Sequence, residues 1–250
     1  MNAGYAADSH FHLYLETTMK NCIRLTFALA LLCAALSTAS LASSIFVVQG
    51  IPGRDFAAET DPAFPVDVLL NDEVCYVHGL AFGTISGPLT FLPGTYNIKV
   101  SIANTLAPCS ESPMIDSSVT LEKHQDLSAV ITLDAQGKPA LLTFVNNLTP
   151  VAAGMSRVLF AQSADAPALQ LVLQDTKTMK VYKFTVNPGA LLNVTLPEGT
   201  YTAEINQGTT TLVTPTLVDL SSQSATLIYA LGQASNNTVS LVTRTLKDVI

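Results

Sequence analysis

The sequence predicts an all-β protein built from two tandem antiparallel β-sandwich modules of the immunoglobulin-like kind, preceded by a signal peptide. Apolar and polar residues alternate over short runs, which is the pattern of a strand with one buried and one exposed face. Turns rich in glycine and proline separate these runs at short intervals, and no window has a convincing helical period. One unit, a Leu-Pro turn followed by Gly-Thr-Tyr and an alternating strand, occurs twice.

This repeated unit contains the clearest strand pattern. In the first copy, Pro93 and Gly94 precede residues 96–102, in which every second side chain is apolar. In the second copy, Gly199 precedes the corresponding run, residues 201–205. Proline presets φ at the first central position of a type II turn, and glycine accepts the positive φ at the second. We therefore predict a type II turn at Pro93-Gly94, within a hairpin.

Five tyrosines are predicted to lie in the core. Tyr96 and Tyr201 begin the two alternating runs, so we expect them to occupy equivalent buried positions, one in each module. Tyr76, Tyr182 and Tyr229 each lie inside another apolar run and are expected in the core as well. Because the chain has no tryptophan, exposed aromatic platforms for carbohydrate are not predicted.

The N-terminal part of the chain predicts export. Residues 19–42 have the layout of a signal peptide: positive charges follow Met19, an apolar stretch spans residues 25–36, and small residues precede Ser43. The apolar stretch is shorter than the about 20 residues that a membrane-spanning helix needs, so cleavage is expected instead of anchoring. We interpret residues 1–18 as an extension upstream of the true initiator, Met19.

Beyond the signal peptide, two modules are predicted, over residues 43–149 and 150–250. Each is long enough for a sandwich of about 100 residues. Residues 146–154, which contain Pro150 and Gly154, form the predicted linker. Because this linker is short, we expect the modules to touch. The predicted location is extracellular or periplasmic.

The chain is acidic, with a net charge of −7 over 250 residues. An acidic chain without clusters of basic residues argues against nucleic acid and against anionic membrane surfaces as partners. No apolar run after the signal peptide is long enough to cross a membrane, so no transmembrane segment is expected in the mature chain.

Cys75 and Cys109 are the cysteines of the predicted mature chain. In an exported protein such a pair is typical of a disulfide, here within the first module. A redox-active pair would usually be spaced Cys-x-x-Cys, and a zinc site would need further ligands nearby, so these alternatives are less favoured. By the chain-entropy estimate, closing this loop stabilises the fold by roughly 4 kcal/mol.

Several motifs occur in one order along the chain. They are Gly-Ile-Pro-Gly at 50–53, Pro-Val-Asp-Val at 65–68, Phe-Gly-Thr-Ile-Ser-Gly-Pro at 82–88, Leu-Pro-Gly-Thr-Tyr at 92–96 and, in the second module, Ser-Ala-Asp-Ala-Pro-Ala-Leu-Gln-Leu at 163–171. Together they resemble a secreted bacterial family, the domain of unknown function 4397, over nearly all of residues 45–245. The resemblance implies tandem β-sandwich modules on exported proteins, and it brings no catalytic residues.

The chain departs from the family's pattern in both modules. The family's signature histidine ends the first strand of a module, whereas this chain has Gln49 in the first module and Ala161 in the second. The signature aspartate is present as Asp67, but its counterpart is Gln170. If that histidine and aspartate hold a metal or ligand, the second module has lost both and the first keeps only the aspartate.

Residues suited to catalysis are few. His78 and His124 are the histidines of the mature chain, and no serine lies in a Gly-x-Ser-x-Gly nucleophile elbow. No phosphate-binding, dinucleotide-binding or His-Glu-x-x-His motif occurs, so neither an enzyme activity nor a cofactor is predicted. Asp55, Glu59 and Asp61 share one loop and offer oxygen ligands of the kind that Ca²⁺ takes, without an EF-hand frame.

The sequence thus predicts a secreted or envelope-associated structural or interaction module without catalytic activity. Its partner would be an unknown component of the envelope or the extracellular space. The alternative is a ligand- or calcium-binding module that uses the loop 54–65.

Overall fold

The structure, a computed structural model, describes residues 42–56 and 61–247. The predicted extension and nearly all of the predicted signal peptide, residues 1–41, lie outside the described residues. The described part of the chain contains sixteen β-strands and one single-turn helix, α1 (Gly53–Phe56). The strands are β1 (Ser43–Gln49), β2 (Val66–Leu70), β3 (Val74–Leu80), β4 (Ile85–Phe91), β5 (Gly94–Ile102), β6 (Ile115–Leu121), β7 (Asp126–Leu133), β8 (Pro139–Asn146), β9 (Met155–Gln162), β10 (Leu169–Asp175), β11 (Val181–Val186), β12 (Leu191–Pro197), β13 (Gly199–Gln207), β14 (Thr210–Leu220), β15 (Ser224–Leu231) and β16 (Ser240–Leu246).

The first eight strands form a sandwich of two four-stranded sheets, ordered β4-β1-β7-β8 and β3-β2-β5-β6. Its core includes Ile45, Val47, Val68, Val100 and Ile131, each at most 3% exposed. Core residues recur at every second position of these strands, because successive side chains of a strand point to opposite faces. The predicted all-β class and sandwich architecture are confirmed.

The last eight strands repeat this arrangement in sheets ordered β12-β9-β15-β16 and β11-β10-β13-β14. Strand for strand, β9 to β16 take the places of β1 to β8. The core of this second sandwich includes Val158, Phe160, Leu171, Tyr201 and Ile228, all 0% exposed. The tandem arrangement predicted from the repeated unit is therefore present.

Each sandwich contains one parallel strand pair, which the sequence did not predict. β1 pairs with β7, and β9 with β15, in parallel, whereas the neighbouring pairs are antiparallel. Between β1 and β7 the chain passes through the other sheet of the sandwich, so it returns in its original direction. Parallel strands need such a long crossover. The expectation of purely antiparallel sheets is corrected at these two pairs.

The two sandwiches pack against each other through the sheets that contain β1 and β9. Phe46 and Val48 lie in one apolar cluster with Leu159, Leu227 and Tyr229, each at most 2% exposed. β7 and β15 are buried along almost their whole length, since one face of each looks into its own sandwich and the other into the interface. Strands covered on both faces are expected to be continuously apolar.

The predicted boundary at 149/150 falls between β8 and β9 and stays a prediction.

The sequence also predicts a strand end and turn over residues 82–88; this turn and the one predicted at Pro93-Gly94 have a different structure. Gly87 and Pro88, joined by a cis peptide bond, lie inside β4. Pro93 and Gly94 connect β4 to β5, which belong to different sheets, so the chain crosses the sandwich there and the predicted hairpin was wrong. Gly94 opens β5 without a positive φ, so the type II turn was also wrong. Turn-forming residues mark a change of direction but do not determine which sheet the next strand joins.

The sequence also predicts a hairpin loop at residues 134–138, a turn at residues 71–73 and an edge strand or bend at Pro215, and these three predictions are confirmed. Residues 134–138 form the hairpin loop between β7 and β8. Asn71 and Asp72 form the turn between β2 and β3, and both have a positive φ. Pro215 lies in the edge strand β14, where its missing N–H removes no bond from the sheet interior.

Candidate functional site

In each sandwich, a tyrosine hydroxyl forms a hydrogen bond to the backbone where the chain crosses from one sheet to the other. The Tyr96 hydroxyl donates to the carbonyl oxygen of Leu92 at 2.6 Å, and the Tyr201 hydroxyl donates to that of Pro197 at 2.9 Å. A tyrosine that bonds back to the backbone a few residues upstream is the tyrosine corner of β-sandwiches. The repeated unit, with Gly199 in the second copy, is therefore a structural corner.

The tyrosines differ in burial more than the sequence predicted. Tyr201 is 0% exposed, and Tyr229 is 2% exposed, as expected for core residues. Tyr96 occupies the position equivalent to that of Tyr201, as predicted, but it is only partly buried, which corrects its predicted burial; Tyr182 is also partly buried. Tyr76 is 44% exposed, which corrects its predicted place in the core. It lies on the edge strand β3, where alternation does not guarantee a covering sheet.

Asp67 is a buried carboxylate whose hydrogen-bond donors are backbone N–H groups. It is 1% exposed, and it accepts hydrogen bonds from the N–H groups of Gly79 (2.9 Å), Asn104 (3.1 Å) and Cys109 (2.8 Å). Buried carboxylates need such donors, and bonds to a charged acceptor are stronger than neutral ones. Asp67, which the resemblance suggested as a metal or ligand residue, therefore positions the end of β3 and the connection between β5 and β6.

A disulfide holds the same connection. Cys75 of β3 and Cys109 are bonded, with a Cα–Cα distance of 5.9 Å, which confirms the predicted pair. We call residues 103–114, between β5 and β6, the clipped loop. Cys109 is thus fixed twice, through its sulfur to β3 and through its N–H to Asp67.

Within the clipped loop, Asn104 organises the local turn. Its side-chain oxygen accepts the N–H of Leu106 (3.0 Å) and of Ala107 (3.1 Å), and its side-chain NH₂ donates to Glu111 at 2.8 Å. Leu106 nevertheless projects into solvent and is 95% exposed, and neighbouring Ile102 is 46% exposed.

The corresponding place in the second sandwich is built differently. Gln170 pairs across the strands with Asn206, as Asp67 does with Ser101, so its predicted role as the counterpart of Asp67 is confirmed. A tight turn at Gly208 joins β13 to β14 in place of a loop. This short turn does not reach over the outer face of the sheet, where Gln170 and Asn206 are half-buried.

In each sandwich, the first strand ends at a buried glutamine. Gln49 donates to the carbonyl of Phe64 at 2.8 Å and accepts the N–H of Ile51 at 3.2 Å. Gln162 makes the same pair of contacts, donating to the Pro167 carbonyl at 3.2 Å and accepting the N–H of Ala164 at 2.9 Å. Both side chains are 0% exposed.

The structural counterpart of Gln49 is therefore Gln162, and the assignment of Ala161 to that place was wrong. Ala161 faces the interface between the sandwiches, in the same apolar cluster as Val48. The sequence signal that identifies the glutamines is a lone amide that ends an apolar run directly before a loop. Each amide satisfies the backbone of that loop.

Polar contacts also join the sandwiches around the apolar interface. The hydroxyls of Ser128 and Tyr229 lie 2.6 Å apart in a buried pair, and Thr132 donates to the carbonyl of Ser163 at 2.7 Å. Beside the Thr132 contact, a cleft of about 840 Å³ opens between the two sandwiches, with Leu133 and Pro167 on opposite sides. The cleft has the size of a small-molecule site.

Burial raises the pKa of Tyr229 to about 12, because the phenolate would lose its hydration, although the bond to Ser128 acts in the opposite direction. Tyr201 also has its pKa raised to about 12, first by burial. Both hydroxyls are therefore neutral over the physiological range.

The acids of the predicted calcium loop are engaged or lie outside the described residues. Asp55 accepts hydrogen bonds from Asn236 (2.9 Å) and from the Thr238 hydroxyl, both in the second sandwich. Asp61 accepts the N–H of Ala63 at 2.9 Å, and Glu59 falls in the segment that the structure does not describe. Within residues 42–56 and 61–247, no group of His, Cys, Asp or Glu side chains has the arrangement of a metal site.

The predicted histidines lie apart from these features. His78 is exposed on β3, and His124 is exposed in the turn before β7 with a φ of 58°. Across the described ranges, no helix has the length and hydropathy that a membrane crossing requires.

The sequence reasoning missed one basic cluster. Lys177, Lys180 and Lys183 lie on the β10–β11 hairpin, and all three are exposed. The signal was present as three lysines within seven positions of an acidic chain, and it contradicts the expectation that basic residues are not clustered.

Solved structures with detectable similarity are remote. A leucine-rich repeat protein from Bacteroides thetaiotaomicron VPI-5482 aligns with 77% of the chain and 26% of its own length, at 14% identity and a TM-score of 0.26. The Bacillus anthracis TIE protein aligns with 75% of the chain and 33% of its own length, at 10% identity and a TM-score of 0.25. The chain spans a third or less of these proteins.

A family comparison is more informative. No curated protein matches the chain. Residues 56–172 match the family described as "Domain of unknown function (DUF4397)", from the end of α1 to β10, and so include strands of both sandwiches. The resemblance expected outside these residues stays a prediction. Over residues 56–172 the match to the DUF4397 family, a family of unknown function, confirms the resemblance that the sequence motifs predict.

Proposed function

We propose that the protein is a non-catalytic structural or interaction module that acts outside the cytoplasm, at or beyond the cell envelope. The observation that carries the proposal is the packing of two like sandwiches into one body around the cluster of Phe46, Val48, Leu159, Leu227 and Tyr229. Burial of apolar side chains on both sides of this interface opposes relative motion of the sandwiches. Their loops and strand edges are then presented to a partner in fixed positions.

The polar side chains that the sequence offered for chemistry support the same proposal. Asp67 is occupied by three backbone N–H groups, and Gln49 and Gln162 bond the backbone of adjacent loops. Asp55 bonds to the second sandwich. These groups stabilise loops and the interface, as expected for a structural protein.

The disulfide supports action outside the cytoplasm. Structural disulfides persist in oxidising compartments and are rare in the cytosol. The bond between Cys75 and Cys109 therefore agrees with the signal peptide predicted at residues 19–42.

Expression of the full chain in a bacterial host, followed by fractionation, tests the location. We expect the protein in the periplasm or medium, with an N-terminus at or close to Ser43 and no free thiols. Retention in the cytoplasm with residues 19–42 still attached would overturn this part of the proposal.

Sedimentation of the purified secreted protein with envelope preparations tests the interaction. We expect saturable binding that persists in EDTA, and no binding would contradict the proposal.

The alternative, a calcium-binding loop at 54–65, predicts a different result. Calcium would raise the melting temperature according to RT ln(1 + [L]/Kd), and Asp61→Asn would remove the rise while Asp72→Asn, outside the loop, would not. A melting temperature that does not respond to calcium, magnesium, zinc or glycans supports the interaction module.

A further inference from the structure

β11 is a regular strand at the edge of a sheet. It pairs with β10 on one side only, over Val181–Val186, and its register contains no shift and no proline. Irregularities interrupt three of the other edges: the pairings of β3 and β4 with their neighbours contain register shifts, and Pro88 and Pro215 lie in the edge strands β4 and β14. The edge strands β6 and β16 are as regular as β11, but they lack its cluster of lysines. Proteins use such irregularities to block pairing with other chains, so the uninterrupted edge of β11 is available for it.

The hydrogen-bond pattern identifies which groups of β11 point away from the sheet. At the hairpin the N–H of Asp175 donates to the carbonyl of Lys180 at 2.9 Å, so these residues form a bonded pair. Bonded and non-bonded pairs alternate along antiparallel strands. The N–H and C=O groups of Val181, Lys183 and Thr185 therefore face outward, and the described residues provide no partner for them.

The side chains around this edge are apolar and basic. Met179 is 63% exposed and Val181 is 45% exposed. Lys177, Lys180 and Lys183 are exposed, and none lies within ion-pair distance of a carboxylate among the described residues. The chain as a whole carries a net charge of −7. Asp175 is the carboxylate of this hairpin and interacts electrostatically with Lys177, and the Lys180 ammonium lies 4.8 Å from the centre of the Tyr182 ring. Three lysines against one carboxylate leave an excess of positive charge on this edge of an acidic protein.

We propose that β11 binds an extended acidic segment of another protein, which adds to the sheet as a further strand beside Val181, Lys183 and Thr185. Main-chain hydrogen bonds supply affinity in this mode of recognition, and side chains at alternate positions supply specificity. Acidic side chains at alternate positions of the segment lie on the face of the sheet that carries Lys183, and the intervening apolar side chains lie on the opposite face, beside the half-buried Tyr182 and Phe184. A second copy of this chain is disfavoured because antiparallel pairing of two β11 strands brings like-charged lysines together. The proposal rests on the proposed interaction function and names the chemistry of its partner.

Titration of the full secreted chain with two synthetic peptides tests the proposal. In one peptide glutamate alternates with valine and threonine, and in its twin lysine replaces glutamate. We expect the glutamate peptide to bind, with affinity that falls as salt rises, and the lysine peptide not to bind. Lys183→Glu should weaken binding by about tenfold or more.

A pair of proline variants tests the position of the site. Thr185→Pro removes an outward N–H, and so does Thr195→Pro on β12, a neighbouring edge strand without lysine, whose register places Thr195 at an outward position. Each substitution spares the bonds inside its sheet. Thr185→Pro should abolish peptide binding, whereas Thr195→Pro should leave it unchanged.

Amide exchange gives a readout that is independent of the variants. The N–H groups of Val181, Lys183 and Thr185 should exchange rapidly in the free protein and slowly in the complex. Failure of the glutamate peptide to bind, equal binding of both peptides, or binding that survives Thr185→Pro would each overturn the proposal. If the protein still sediments with envelopes in that case, the proposed function stands and only the β11 site is refuted.

Discussion

The two sandwiches have the same strand order and the same tyrosine corner, but they differ on the outer face of one sheet. In the first, the clipped loop lies over that face, bonded to Asp67 and joined to β3 by the disulfide. In the second, Gln170 replaces the aspartate, and a tight turn replaces the loop. A buried carboxylate and a disulfide thus occur where a long connection lacks strand partners. The short connection needs neither.

Truncation of the corner tyrosines should produce the largest difference in unfolding free energy between the two sandwiches. Tyr201→Ala removes a fully buried side chain and should cost about 3–5 kcal/mol of unfolding free energy. Tyr96→Ala should cost less, about 1–3 kcal/mol, because Tyr96 is only partly buried. Urea denaturation measures both values. Equal costs would contradict the expectation that the difference in burial between Tyr96 and Tyr201 sets the cost.

Removal of the disulfide should affect the first sandwich strongly. Cys75→Ala combined with Cys109→Ala should lower the unfolding free energy by up to about 4 kcal/mol, since the unfolded chain regains the freedom of the closed loop. Amide exchange should accelerate in residues 103–114 and stay unchanged in β13 and β14. Unchanged stability and unchanged exchange would show that the disulfide does not hold the loop.

Asp67 and its counterpart Gln170 allow a matched comparison of unfolding free energies. Asp67→Ala leaves three backbone N–H groups without their acceptor and should cost about 3 kcal/mol, because buried donors without partners are destabilising. Gln170→Ala, at the equivalent but half-buried place, should cost less than about 1 kcal/mol. Urea denaturation of both variants decides the matter, and a smaller effect for Asp67→Ala than for Gln170→Ala would contradict the structural role.

Alkaline pH should produce a smaller, shared effect. The native pKa of Tyr229 is raised to about 12, above the unfolded value of about 10. A raised native pKa means that the folded state holds the proton more tightly, so this contribution is complete below about pH 10 and declines between about pH 10 and 12. Tyr229→Phe should show a shallower decline, with a residual part from Tyr201. Identical pH profiles would contradict burial of the hydroxyl at the interface.

The sequence predicted local structure well where a single strand or turn decides it. The alternation at residues 96–102, the Asn71-Asp72 turn and the edge position of Pro215 follow from side-chain period and backbone geometry. The crossing between sheets at Pro93 and the parallel strand pairs could not be predicted in this way, because long-range packing fixes which strands pair and the alternation of side chains does not encode it.

The candidate site shows the same limit. The pair Cys75–Cys109 was predictable from composition and compartment. The role of Asp67 was not, since its three donors come from separate segments of the chain that meet only in the folded sheet. Gln162 was missed because a one-residue offset moves a side chain to the opposite face of a strand.

Both sandwiches pack into one body, and scanning calorimetry distinguishes this arrangement from two independently folding domains. We expect a single transition of the secreted protein, with equal calorimetric and van 't Hoff enthalpies. Leu227→Asp, at the apolar interface, should split it into two, whereas Leu217→Asp, at a position 68% exposed, should leave one. Two separate transitions in the unaltered protein would contradict this arrangement.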